Sequence, residues 1–529
     1  MRGLFFVVQR LAFVVGCIEI NKRKSKMKPT AEQQAIIASN APRIKVRAGA
    51  GTGKTSTLVK FAEANPRERI LYLAFNKSIQ TEAASKFPAN VKAVTTHALA
   101  YRDVGRDYGN VANKLQGDMK PFHVQRHLAS SLANIPVAAH QLYGGRIIET
   151  IKAFLVSSDP AMTSKHVVVG QAPVERAHFD PNRVLADAHR VWGLMQDLKS
   201  EVPMLHDGYL KLYQLTQRPL PYGIILADEW QDTNPVTQAI VDIQKARTVY
   251  VGDSHQAIYA FRGAMNTMDS LKADATFSLT GSFRFGEEVA RVANDILEIK
   301  RDDFTLHGLG QASRIGELPQ GVPSAYISRG NVALFDRAVQ ALSSKQPFAF
   351  VGDIRGYRFD QIMDVHNLTY GGKVKDAFIG SFASIDELAE YAELIDDREV
   401  KSRCKVVTKY GTDIPRLIEQ IERNALPPVV GNEASRVGDN RVILTTAHKS
   451  KGLEFDHVKL ADDFMSLIDD DGKLLDITKA SAQDIEEINI QYVSVTRAKA
   501  TLQLCDGLLD YLEYVDGLKE DQRDRMYAM

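Results

Sequence analysis

Residues 48–55 read Ala-Gly-Ala-Gly-Thr-Gly-Lys-Thr, with the β-prone run Ile44 to Ala48 before them and the helix-forming run Ser56 to Ala64 after them. Strand, glycine-rich loop and helix in that order make a phosphate-binding loop. Gly49, Gly51 and Gly53 let backbone N–H groups close around phosphate oxygens, so the cradle is Ala50, Gly51, Thr52 and Gly53. The helix start, with Thr55 and Ser56, adds its positive end. Lys54 can reach the β- and γ-phosphates, and the Thr55 hydroxyl can ligate Mg²⁺. The usual pattern begins on Gly where this chain has Ala48, a small departure.

A nucleotide site also needs an element on the metal side. Residues 222–232, Tyr-Gly-Ile-Ile-Leu-Ala-Asp-Glu-Trp-Gln-Asp, supply it. Ile224 to Ala227 reads as a buried parallel strand, which sets Asp228 and Glu229 at its carboxyl edge. Asp228 would hold the Mg²⁺ shell, and Glu229 would orient and deprotonate the attacking water. An acidic pair after a strand is common, but together with Lys54 it predicts an NTP hydrolase.

Around these two elements, short apolar strands alternate with helical stretches from Met27 onward, the pattern of an α/β fold with parallel sheets. The 529 residues predict three or four domains at about 150 residues each. Lys and Arg number 66 against 65 Asp and Glu, a formal net charge of +1. That excludes a protein that coats nucleic acid through a global basic field, though not one with a local phosphate-binding cleft. Residues 1–26 hold six of the basic side chains and one Glu, so the remainder is mildly acidic, and a handful of phosphate contacts predicts a modest salt dependence. Cys17, Cys404 and Cys505 are too scattered for a disulfide framework or a zinc set, which fits a reducing compartment. No run approaches the roughly 18 apolar residues that cross a bilayer, so no membrane partner is expected. The apolar stretch Leu4 to Ile20 is split by Arg10 and followed by Lys22, Arg23, Lys24 and Lys26. It reads poorly as a signal peptide. The readings left are a start chosen upstream of the true one at Met27, which is the expectation, an amphipathic anchor, and a disordered extension.

Longer stretches carry a resemblance. Asp228-Glu-Trp-Gln-Asp-Thr-Asn234 resembles the DExQDTN motif of UvrD/Rep-type superfamily 1 helicases, and residues 251–264, Val-Gly-Asp-Ser-His-Gln-Ala-Ile-Tyr-Ala-Phe-Arg-Gly-Ala, resemble that family's motif III. The match extends over almost the whole chain after Met27. Thr30-Ala-Glu-Gln33 is similar to the Q motif, which implies that the Gln33 amide reads the adenine edge. Leu73-Ala-Phe-Asn-Lys77 and Thr95-Thr-His97 resemble motifs Ia and Ib, which implies single-stranded DNA contacts. Phe75 offers a stacking face, and Lys77, Thr96 and His97 offer phosphate donors. In motif III the resemblance implies that Gln256 senses the γ-phosphate and that Tyr259 and Phe261 lie near the DNA track. Arg262 would pair with DNA phosphate or with an internal acid.

Gly281-Ser-Phe-Arg284 stands in place of the family's QNYR element, implying that Phe283 stacks on adenine and Arg284 acts on the γ-phosphate. Residues 447–456 resemble motif V, whose loop touches DNA and nucleotide. His448 would meet DNA and Glu454 the ribose. Residues 491–499 resemble motif VI, which makes Arg497 a second arginine finger. Its planar fork spreads charge over the equatorial oxygens. In wording, the motifs are closest to the F-box DNA helicase branch, as a motor without an F-box.

The fold implied is two RecA-like parallel-sheet P-loop domains: 1A over 27–107 and 206–280, and 2A over 281–355 and 436–529. A mainly helical 1B insertion is expected at 108–205, including Val174 to Lys199 with apolar residues near helical spacing, and a reduced 2B insertion at 356–435. The resemblance implies ATP and Mg²⁺ as cofactors, single-stranded and tailed or forked duplex DNA as substrates, and 3′-to-5′ movement. Single-strand-binding or recombination proteins are further expected partners, in a cytoplasmic, nucleoid-associated setting. A rival reading shares every motif: a translocase that strips proteins from single strands with little unwinding. His123 and His127 are spaced like a metal pair but have no third ligand, so they read as surface positions.

Overall fold

The computed structural model describes residues 28–170, 173–259, 267–376, 378–394, 397–431, 440–469 and 472–527. The extension 1–26 and the expected DNA contacts Phe261 and Arg262 lie outside the described residues.

Six strands form the first sheet: β1 (Arg43–Ala48), β2 (Ile70–Ala74), β3 (Val91–Thr95), β4 (Ile224–Ala227), β5 (Arg247–Gly252) and β6 (Ala275–Leu279). Their order is β3-β2-β4-β5-β1-β6, and every pairing is parallel. β2 reads Ile-Leu-Tyr-Leu-Ala and β4 reads Ile-Ile-Leu-Ala, and both are buried at every residue, as strands covered on both faces must be. The second sheet holds β7 (Arg314–Ile315), β8 (Ser324–Ser328), β9 (Phe348–Val351), β10 (Leu426–Val429), β11 (Val442–Thr446), β12 (Phe455–Leu460) and β13 (Ala498–Gln503). It runs β7-β13-β12-β8-β11-β9-β10, again parallel throughout. The α/β class with two parallel sheets is as expected.

In the first sheet, β1 leads into the glycine loop, β2 into Phe75, β3 into Thr96, β4 into Asp228 and β5 into Asp253. All five motif segments therefore leave the same edge, the carboxyl edge where open parallel sheets bind ligands. In the second sheet, β11 leads into His448 and Lys451 at the corresponding edge.

Two inserted groups of helices pack beside the sheets. Between β3 and β4, helices His140–Val156, Pro181–Gln196 and His206–Leu215 pack Ile147, Ile151, Val184, Val191 and Tyr209 into one core. The stretch of helical spacing from Val174 to Lys199 divides here. Pro173–His178 is one helix and Pro181–Gln196 another. Pro181 has no N–H to continue the first, and the Asp180 side chain accepts from the Asn182 N–H to cap the second. After β9, helices Phe359–Tyr370, Arg398–Tyr410 and Ile414–Asn424 share a core with the sheet itself, where Val365, Val407 and Ile421 join Phe335, Phe348 and Leu444. Leu426–Val429, which the sequence reading assigned to the insertion, pairs with β9 as a sheet strand. No described helix is long and apolar enough to cross a membrane.

Candidate nucleotide and DNA clefts

Gly51 and Gly53 sit at φ +74° and +80°, a left-handed backbone that side-chain-bearing residues rarely adopt. Space also demands glycine, since a Cβ on Gly51 would stand 2.6 Å from Ser282 Oγ. The loop is braced from several sides. The Gly49 N–H donates to Leu279 O (3.1 Å), the Thr52 hydroxyl to Gly49 O (2.9 Å) and the Phe283 N–H to Gly51 O (2.9 Å). Helix Lys54–Ala64 starts directly behind, with Thr55 and Ser56 in its first turn, so its amino end points into the loop.

Facing the loop is the acidic pair. Lys54 Nζ lies 3.0 Å from Glu229 Oε1. Glu229 has φ +52°, a strained setting for a non-glycine residue. Its own N–H donates to Asp228 Oδ1 (2.9 Å), and Gln231 Nε2 donates to Glu229 Oε2 (2.7 Å). Asp228 is buried, and the Tyr72 hydroxyl donates to its Oδ2 at 2.6 Å. Burial, and then the Glu229 charge, push the Asp228 carboxyl up to about 6. Burial works the same way on Glu229, but Lys54 and Lys451 overcome it and hold Glu229 well below the usual carboxylate range. Glu229 thus ionises the more readily of the two, and Asp228 is the one that a cation would relieve. An oxygen-only set of the Asp228 carboxylate and the Thr55 hydroxyl suits Mg²⁺.

The sequence alone does not mark Tyr72, because a tyrosine in an apolar strand looks like core. As the hydrogen-bond donor that orients Asp228, it has a measurable role. Partners of this kind typically contribute 10- to 100-fold to metal affinity, so Tyr72→Phe is expected to raise the Mg²⁺ needed for half-maximal hydrolysis by about that factor. A Mg²⁺ titration of phosphate release measures it, and an unchanged midpoint counts against the orienting role.

Arginines approach from the second body. Arg284 Nε donates to Glu454 Oε2 (3.1 Å) and its Nη1 to Thr496 O (2.9 Å), while its Cβ backs against Gly51. Glu454, expected at a ribose, is here the partner of Arg284. Arg497 is fully buried, with Nε on Val493 O (2.8 Å) and Nη2 on Thr496 Oγ1 (3.2 Å) and 3.5 Å from Gln256 Oε1. Among the described residues no carboxylate makes ion-pair contact with it. Burial and then the Arg284 charge push its guanidinium down to about 9. Gln256 Nε2 donates to Asp253 Oδ2 (2.6 Å). Tyr492, on the helix Ala482–Val495 that precedes Arg497, joins the two bodies: the Ala50 N–H donates to its Oη (3.3 Å), and the Oη donates to Asp253 Oδ2 (3.2 Å). Tyr492 lies within the motif VI-like stretch, but its residue type does not reveal a partner 442 positions away.

At the far end of the loop, Gln33 Oε1 accepts from the Thr30 N–H (3.1 Å) in a capping box. A Cβ on Gly53 would lie 3.2 Å from Gln33 Nε2 and 3.7 Å from the Phe283 ring. The expected adenine amide and stacking ring therefore border the same glycine.

Three of the residues expected to meet DNA, Phe75, Thr96 and His97, line a neighbouring cleft of about 100 Å³, whose walls also include Asp228, Trp230 and Asp232. Phe75 is 36% exposed, and its ring stacks on Tyr259 with centroids 5.7 Å apart and planes at 15°. The Tyr259 hydroxyl donates to His448 O (3.3 Å), and the two rings lie 6.2 Å apart. His97 Nε2 is 3.0 Å from Asp207 Oδ1, so Asp207 is an unforeseen partner of a residue expected to meet phosphate. Lys77 Nζ donates to Gln80 Oε1 (3.1 Å) on an exposed helix. Away from both clefts, His123 Nδ1 accepts from the Lys120 N–H (2.9 Å), a helix cap.

Base stacking on one aromatic is worth about 1–3 kcal/mol. If Phe75 supports a base, Phe75→Ala should weaken oligothymidylate binding about 5- to 150-fold in fluorescence anisotropy. Affinity within twofold of the parent would remove Phe75 from the track.

Comparison with known proteins fits this geometry. The family described as AAA domain matches residues 32–262, on the body with the phosphate loop. The family described as UvrD-like helicase C-terminal domain matches residues 355–505, on the body with Arg497. The chain belongs to the UvrD-like helicases. Its two parallel sheets are the RecA-like pair of that family, and membership implies use of a nucleotide. F-box DNA helicase 1 of Gallus gallus is 31% identical over 519 residues, covering 92% of this chain and 50% of the relative. F-box DNA helicase protein 1 of Schizosaccharomyces pombe is 30% identical over 526 residues, with 90% and 57% covered. DNA helicase IV of Escherichia coli is 24% identical over 337 residues, half of this chain and 46% of the relative. The chain spans about half the length of the curated relatives it matches.

Proposed function

We propose that this UvrD-like chain is an ATP-driven motor that moves 3′-to-5′ along single-stranded DNA and separates duplex ahead of it. One observation carries this reading. The segment after β5 puts Gln256 against Arg497 in the nucleotide cleft and, three residues on, Tyr259 against Phe75 in the DNA cleft. A change at the γ-phosphate is thereby three residues from a stacked base.

Bound ATP with Mg²⁺ would supply the anhydride whose cleavage drives the cycle. The loop amides of Ala50, Gly51, Thr52 and Gly53 would bind its phosphates, Lys54 would neutralise them, and Thr55 with Asp228 would hold the ion. Glu229 takes the proton of the attacking water. Arg284 and Arg497 steady the charge from the second body, so that nucleotide joins the bodies and its loss parts them. Phe75, Tyr259 and His448 grip bases, and Lys77, Thr96 and His97 grip phosphates, in alternation with that closure. The fitting substrates are single strands and tailed or forked duplexes, with single-strand-binding or recombination proteins as partners. A DNA-associated location follows. The relatives come from bird, yeast and bacterium alike, so the nucleoid is not singled out.

Strand displacement on duplexes with 3′ or 5′ single-stranded tails, beside hydrolysis with and without oligothymidylate, tests this directly. Displacement from 3′ tails and DNA-stimulated hydrolysis are expected. Opening only from 5′ tails overturns the polarity. Stimulated hydrolysis with removal of a bound protein block but no displacement would favour the stripping translocase.

A further inference from the structure

We infer that Lys451 is the positioning residue through which the nucleotide cleft sets the grip of the base-stacking rings. The inference rests on the function proposed above and names the contact that links its two halves.

Lys451 follows the short helix Ala447–Ser450, which β11 delivers to the edge of the second sheet. Its ammonium crosses to the first body. There it lies 2.6 Å from Asp232 Oδ2, with side-chain exposures of 9% for the lysine and 1% for the aspartate. The same ammonium donates to the Gln256 carbonyl and stands 4.8 Å over the centre of the Tyr259 ring. One charge therefore meets three groups with three different attachments.

Asp232 leads to the hydrolysis site. Gln231 Nε2 reaches Asp232 Oδ2 at 3.3 Å and Glu229 Oε2 at 2.7 Å, so one amide spans the two carboxylates. Gln231 Oε1 accepts from the Asp253 N–H at 3.0 Å. Asp232 also lines the cleft with Phe75, Thr96 and His97. Gln256 leads to the second-body arginine, 3.5 Å from its amide oxygen. Tyr259 leads to the bases through its stack on Phe75.

Asp232, Gln256 and Tyr259 all follow strands of the first sheet and Lys451 a strand of the second, so a shift of the bodies moves the ammonium against the carboxylate and the ring together. Breaking the buried pair strands both charges, and parting of the bodies withdraws the ammonium from Asp232 and from the Tyr259 face at once. The cation–π attraction weakens or strengthens accordingly. Domain closure at the phosphate is in this way converted into a change of stacking face. A neutral side chain at 451 fills the space without making that conversion.

The test is a thermodynamic cycle on DNA affinity. Oligothymidylate binding is measured by anisotropy with and without a non-hydrolysable ATP analogue, for the parent chain, Lys451→Met, Asp232→Asn and the double variant, with melting temperatures alongside. The ratio of the two dissociation constants is the readout, since a purely structural loss moves both constants together and leaves their ratio alone. In the parent, nucleotide is expected to change DNA affinity by tenfold or more. In Lys451→Met the ratio is expected to fall below about threefold, and the double variant should fall no further than the lower of the two singles. A parent-like ratio in a folded Lys451→Met protein overturns the inference. Failure of the parent to bind oligothymidylate at all overturns the proposed function, a result distinct from the first.

Discussion

Arg497→Ala is expected to lower DNA-stimulated ATP hydrolysis by about 10³- to 10⁵-fold, the range associated with arginine fingers. The side chain is buried, its hydrogen-bond partners are carbonyl, hydroxyl and amide oxygens, and the Arg284 charge presses on it. Such a cation gains most when an anion develops next to it. The interaction therefore strengthens towards the transition state, and its loss falls on the rate more than on binding. ATP affinity should change by less than about tenfold. Arg497→Lys keeps the charge but loses the fork, and should recover only a small part of the rate. Steady-state phosphate release, with fluorescent-nucleotide binding and melting temperature as controls, reads all three quantities. Undiminished stimulated hydrolysis in the alanine variant would remove Arg497 from the bridge between the bodies.

Glu229→Gln should slow hydrolysis by about 10²- to 10⁴-fold, the usual worth of a general base. Here the loss arises differently. Glutamine keeps the shape and can still accept from Lys54 and Gln231, but it cannot take a proton. Lys54 and Lys451 hold the Glu229 carboxyl far below neutrality against the pull of burial. The carboxylate is therefore ionised throughout pH 6–8, and Glu229 itself should impose no acid limb there. ATP should bind at least as tightly as to the parent, because one negative charge facing the phosphates is gone. Single-turnover hydrolysis with pre-bound ATP isolates the step, and a rate within threefold of the parent would move the base elsewhere.

The parts of the site that came from the sequence are those in which residue type and spacing are themselves the chemistry. A loop of glycines ending in Lys54-Thr55, and carboxylates just past an apolar strand, leave few alternatives. What the sequence did not disclose are contacts between segments far apart in the chain. Tyr72 on Asp228, Tyr492 on Ala50 and Lys451 on Asp232 are 156, 442 and 219 residues apart, and no local pattern encodes a partner at that range. His97 shows the complementary limit. Its place in the cleft was legible, but Asp207, 110 residues away, was not. Element boundaries went astray for local reasons. Helical spacing ran on through 174–199 although Pro181 restarts the helix, and Leu426–Val429 contains two prolines, which hid its place as the outermost strand of the second sheet, where Pro is tolerated.

The helices after β9 have a mechanical consequence. Val365, Leu388, Val407 and Ile421 are buried together with Phe348 and Leu444 of the sheet. Rotating these helices as a separate arm would expose that surface, at about 1.5–3 kcal/mol for each large side chain uncovered. They are a stiffener and not a joint. A load applied to them is borne by β11, and Lys451 begins five residues beyond the end of that strand. Drag on this face is thus transmitted through the shared core to the edge that carries Lys451.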